Sequence, residues 1–130
     1  MDADGTMRTL RPGSNGFICM PDDPGTPGPD PMCADAKGVE RAHAPMGKTE
    51  PPDKVGSIVM PVEGSDAGNT DAFATEPEAG REWIRTGPHV TVVGGKAVRE
   101  MAGYRRTPNR TKPCMMFIGT PYEHAMTPMR

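Results

Sequence analysis

Apolar positions along this chain fall in short clusters, separated by longer polar stretches rich in glycine and proline. The first cluster is only Phe17 and Ile18, after a polar lead over residues 1–16 that turns at RPGSNG. Residues 34–47 place Val39, Ala42 and Met46 at helical spacing behind Asp35, a residue suited to an N-cap, while Gly38 and Pro45 weaken the helix. The β-branched run VGSIVMPV (55–62) reads as a strand, and EGSDAGNTDAFATEPEAG (63–80) as a long turn-rich excursion. A second strand is expected over residues 89–93. KAVREMAG (96–103) then sets Ala97, Val98, Met101 and Ala102 on one helical face, with Gly103 placed to end the helix. CMMFI (114–118) reads as a short buried strand. After a turn at residues 119–121, Tyr122, His124 and Met126 share one face of an extended segment. The pattern predicts a small, irregular, loop-rich α+β domain over residues 17–130, with three or four short strands and two short helices.

Composition sharpens that picture. With 16 Gly, 16 Pro and only 35% hydrophobic residues in 130, the core must be built from Val, Ile, Met and Ala, and much of the chain must be loop. Apolar surface is sparse enough in the first half to leave disorder there open. Fifteen basic and seventeen acidic residues give a net charge of −2, which argues against a general nucleic-acid or anionic-membrane binder. The basic run over residues 99–112 is interleaved by a single aromatic, Tyr104, and reads as a solvated loop. No apolar run approaches a membrane span. The opening MDADGTMRTL lacks the basic and apolar regions of an export signal, so a chain complete as written would be cytoplasmic.

Candidate chemistry begins with CMPDDPGTPGPDPMC, a fifteen-residue stretch from Cys19 to Cys33 stiffened by five prolines. A disulfide would staple this loop; three unrelated reduced thiols, with Cys114 packed as a small hydrophobe, are the other reading. The spacing matches no zinc or redox motif. His89 and His124 both stand at strand ends beside turns, where they can form a ligand pocket with Tyr122 and Asp71. No cofactor is required, but His89, His124 and Met126 make a candidate copper or zinc set. Met residues also fill irregular cores, which explains Met126 without a metal. Asp66, Asn69 and Asp71 are spaced as oxygen ligands, although Asx turns account for them equally well. An enzyme reading makes His124 or His89 a general base partnered by Asp71 or Glu123, for a hydrolase or lyase. Cys114 inside an apolar strand would be protonated and inert as a nucleophile.

Four segments in fixed order, LRPGSNGFICMPDDPGTPGPDPMC, GSDAGNTDAFAT, EWIRTGPHV and GTPYEHAMTPM, resemble the successive motifs of a family of small exported bacterial proteins of unknown function. The resemblance runs from Leu10 to Met129. It implies a signal peptide ahead of a periplasmic or secreted domain, and an oxidising compartment in which Cys19 and Cys33 pair. It implies no activity. The chain differs from that pattern in carrying Phe17 and Phe117 where the family has Trp, and Thr91 where it has Met. The expectation is therefore a non-enzymatic exported domain that binds a small ligand or metal near His89 and His124.

Overall fold

The computed structural model describes residues 6–101 and 103–129. Its first two strands lie at the two ends of the proline-rich loop: β1 (Ile18–Met20) and β2 (Met32–Ala34) run antiparallel, with Cys19 directly opposite Cys33. The two cysteines form a disulfide, and Cys114 is a buried free thiol. Five prolines remove backbone donors from the enclosed loop, so aspartate side chains organise those that remain. Asp22 accepts from the Asp30 N–H, Asp23 accepts from the Gly25 N–H, and Asp30 accepts from the Thr26 hydroxyl at 2.7 Å.

Helix α1 (Ala36–His43) follows at once, and Asp35 caps it by accepting from the Gly38 N–H at 2.7 Å. The second Asp35 oxygen accepts from the Ser57 N–H at 3.0 Å, which ties the helix start to strand β3 (Gly56–Met60). Gly38, a weakness by propensity, is required by that packing. A Cβ there would sit 2.3 Å from the Ser57 carbonyl oxygen.

The remaining elements are β4 (Gly64–Asp66), β5 (Ile84–Thr86), β6 (His89–Val93), α2 (Gly95–Arg99), β7 (Cys114–Met116) and β8 (His124–Pro128). Six strands form one antiparallel sheet in the order β1-β2-β3-β6-β8-β7, and β4 pairs with β5 in a separate two-stranded ribbon. The molecule is a small single α+β domain, richer in strands than its apolar pattern suggests. α1 covers one sheet face, where Val39 and Ala42 pack on Ala34, Ile58 and Val93. Ile84 and Ala72 extend that layer over Met116, Phe117, Tyr122 and Met126. The opposite face is closed by Val98 of α2 together with Met101, Tyr104 and Ile118, against Met115 and Ala125. Among the described residues, no helix is long and apolar enough to cross a membrane.

Several boundaries differ from expectation for identifiable reasons. Strands β4 and β5 fall in or near the expected excursion because GSD and IRT are too short to show alternation. β1 and β2 escape notice likewise, being three residues each beside prolines. The second helix stops at Arg99, well before Gly103, which instead takes a left-handed turn at φ 82°. Ala102, assigned to that helical face, lies outside the described residues. The first half, open to disorder by composition, holds β1, β2, α1 and β3.

Candidate functional site

Strand β6 carries the anomaly that locates the site. Its more buried face presents His89, Thr91 and Val93, while Val90 and Val92 on the other face are only half-buried. Polar groups on the buried face of a central strand are the informative departure from ordinary burial. They border a cavity of about 220 Å³ between the sheet, α1 and β4. Ile58 and Met60 of β3 and His124 of β8 complete its floor, Arg41 and Ala42 of α1 one wall, and Gly64, Ser65 and Asp66 of β4 another. The disulfide-closed loop reaches the same cavity through Asp30, with Met32 beside it on β2. β4 comes this close because Gly64 has no side chain: a Cβ there would stand 2.8 Å from His89 Cε1 and 2.7 Å from Thr86 Oγ1.

Both imidazoles are fixed by backbone carbonyls. His89, only 5% exposed, has Nδ1 2.7 Å from the Gly87 carbonyl oxygen, and His124 has Nδ1 3.0 Å from the Tyr122 carbonyl oxygen. A carbonyl can only accept, so His89 Nδ1 carries the proton and donates, leaving its Nε2 as a bare acceptor. His124 Nδ1 also has an Arg41 terminal nitrogen, itself a donor, at 3.4 Å, and the shorter contact to the Tyr122 carbonyl sets the same tautomer there. Neither Nε2 has a hydrogen-bond partner among the described residues, and both residues line the cavity. Burial, followed by the Arg41 charge, holds His124 down to about 3; burial likewise lowers His89. Both rings are therefore neutral at neutral pH.

The charged groups around them are mutually adjusted. The Arg41 guanidinium donates to the Tyr122 carbonyl at 2.7 Å and lies 4.4 Å over the Tyr122 ring. Burial lowers Arg41 to about 10, which leaves it cationic. Asp66 is raised to about 6, chiefly by burial and further by Asp30, against the opposing pull of Arg41. Its carboxyl makes no hydrogen bond among the described residues. Asp30 is also raised by burial, although hydrogen bonds from Thr26 and Asp23 oppose the shift. The Ser65 hydroxyl is a buried oxygen without a partner among the described residues.

Other expected site residues stand elsewhere. Asp71 is exposed, and its carboxylate accepts from the Phe73 N–H at 2.9 Å in an Asx turn. Glu123 points to the face opposite His124, where it accepts from Arg99 Nε and the Gly119 N–H, each at 3.2 Å. Tyr122 lies behind the cavity, donating its hydroxyl to the Thr49 carbonyl and packing edge-on against Phe73. Met126 is buried in the cluster with Cys114, Met116 and Tyr122. Cys114 donates to the Asn109 carbonyl, and burial raises its pKa, which keeps the thiol protonated.

Strand register separates the two histidines. His89 pairs with Pro128, four residues along β8 from His124. At about 3.3 Å per residue the two backbones are offset by about 13 Å along the strands. Both side chains nevertheless line the same cavity, near enough that a charge on His89 would lower His124 further. Among the described residues, no group of three or more His, Cys, Asp and Glu side chains is disposed to hold a metal.

Arg41 and Asp30 were not anticipated as site residues. A charged residue in a short helix and an Asp between prolines both read locally as solvated. Asp66 was marked as an oxygen donor, and its turn-rich setting gave an equally good local explanation. Comparison with known families, curated proteins and solved structures finds no match to this chain.

Proposed function

We propose that this protein is a small-ligand-binding domain whose site is the cavity between α1, β4 and the main sheet. One observation carries the reading: three polar groups at one cavity, His89 Nε2, His124 Nε2 and the Asp66 carboxyl, lack hydrogen-bond partners among the described residues. Ser65 Oγ is enclosed without a partner among the described residues, and the other three groups are left to whatever fills the cavity, so the site is suited to a polar occupant. The volume corresponds to about seven water molecules at ~30 Å³ each, which sets the ligand at small-metabolite size. The Cys19–Cys33 disulfide and the resemblance to exported bacterial proteins support an oxidising, extracytoplasmic setting.

The test is a screen of small polar compounds against the disulfide-intact protein by saturation-transfer NMR, repeated on His124→Phe. The reading expects hits that weaken in the variant. A panel that never binds, or binds both proteins equally, contradicts it.

A second reading, acid–base catalysis, is favoured by one specific contrast. Asp66 is raised to about 6, so at neutral pH it is a carboxylate of more than ordinary basicity beside two neutral imidazoles in one cavity. Asp66 and Asp30 would then supply the carboxylate role first assigned to Asp71 or Glu123. Slow conversion of a bound compound, abolished in Asp66→Asn, supports catalysis; a bound compound recovered unchanged favours binding alone.

A further inference from the structure

The balance of hydrogen-bonding groups around the cavity identifies the chemistry of its occupant. Acceptors dominate: two imidazole Nε2 atoms, the Asp66 carboxyl and the Asp30 carboxyl all belong to residues that line it. Arg41, the one buried cation among the described residues, already gives a terminal nitrogen to the Tyr122 carbonyl, with His124 Nδ1 3.4 Å from it, and its guanidinium face to the Tyr122 ring. Its remaining electrostatic partner is Asp66. With both carboxyls ionised, the lining carries one more negative than positive charge.

The carboxyls do not stand alone as an acidic cluster. His89 is 95% buried, lines the same space, and leaves its Nε2 without a partner among the described residues. Such a nitrogen can be satisfied only by a donor. Ser65, with its unpartnered hydroxyl on the adjoining strand, can accept as well as donate. Ile58, Met32 and Met60 supply an apolar and thioether wall suited to a short alkyl chain.

We infer that the cavity binds a small organic amine, its ammonium hydrogens donated to Asp66 and an imidazole Nε2 and its alkyl portion laid against the methionine wall. This rests on the cavity being a ligand site at all. A carboxylate ligand would face Asp30 and Asp66 with only a committed Arg41 to receive it. A primary ammonium supplies three donors to a wall short of them.

The pairing also sets a pH dependence. Asp66 is faced by Arg41 from α1, Asp30 from the disulfide loop, and His89 and His124 from the sheet. A bound ammonium favours the ionised Asp66, so affinity falls as the carboxyl protonates near 6. Ionisation alone weakens binding about tenfold from pH 7 to pH 5.

Isothermal titration of the full disulfide-intact chain tests this with three sets of probes: ethanolamine, putrescine and histamine; acetate and glutarate; and glycerol. Amines should bind at pH 7.5, lose about tenfold in affinity by pH 5, and lose at least tenfold in Asp66→Asn. Asp71→Asn, which alters an exposed carboxylate, should bind them as the parent does. Binding of the carboxylates or glycerol in preference to the amines overturns the amine assignment while leaving the ligand site standing. Amine binding that survives Asp66→Asn overturns it too, by placing the amine elsewhere. If no probe binds, the amine assignment fails together with the ligand-site reading. A circular-dichroism melt of each variant separates lost binding from lost folding, and an Asp66→Glu variant that restores amine binding meets the case in which Asp66→Asn is unfolded.

Discussion

Asp66 and His124 move stability in opposite directions as pH changes. His124 is depressed from 6.5 to about 3 in the folded state, so between those values the unfolded chain binds the extra proton and acid destabilises the fold. Asp66 is raised from 3.8 to about 6, so between those values the folded chain binds the extra proton and acid stabilises it. Between about 4 and 6 the two contributions offset. His89 and Asp30 reinforce the same opposition in direction. Asp66→Asn removes one side of the balance. Urea denaturation of that variant should show stability falling more steeply than the parent from pH 6 to pH 4, by up to about 1.4 kcal/mol per pH unit. Parallel curves for the two proteins would contradict the assignment. The histidines were legible as site candidates because each stands at the end of an apolar run beside a turn. Arg41 and Asp30 were not, because burial of a charge depends on what packs over it, and no local pattern records that.

At the scale of elements, α1 and the cysteine loop are the parts most open to test. Gly38 and Gly56 let the helix lie against β3, and the Cβ of Gly38→Ala would meet the Ser57 carbonyl, a backbone atom that cannot swing aside. That variant should lose about 1–3 kcal/mol despite its better helix propensity. A thermal melt checks it, and a gain in melting temperature would refute the close approach. Asp35→Ala should cost about 1 kcal/mol for the cap, and somewhat more because it also strands the Ser57 N–H. The helix was readable from its Asp cap and spacing. The ribbon β4–β5 was not, since three-residue strands of Gly, Ser and Asp carry a turn signature and gain their strand geometry from pairing alone.

The whole molecule is a six-stranded sheet with helices on both faces and one cavity wall borrowed from a crosslinked loop. The disulfide has a double consequence. By the chain-entropy estimate it stabilises the fold by roughly 3 kcal/mol, and it anchors both ends of the segment that brings Asp30 to the cavity. Cys19→Ser/Cys33→Ser should therefore lower both the melting temperature and ligand affinity. Mass analysis after alkylation of the denatured, unreduced parent should show a single modified thiol, Cys114; three modified thiols would contradict the crosslink. The sequence carried this feature as a spacing compatible with a staple and as a family resemblance implying one. That the stapled loop also walls the site depends on contacts between segments far apart in the chain, such as Gly28 against Glu63 and Arg85.

The central claim is that His89 and His124 open onto one ligand cavity. Following the imidazole nitrogens of 15N-labelled protein by long-range heteronuclear NMR during titration with putrescine tests it most directly. The account expects both rings to start neutral with protonated Nδ1, and both Nε2 signals to shift along one saturable curve. Nε2 signals that stay fixed while ligand binds, or that follow separate curves, would contradict it.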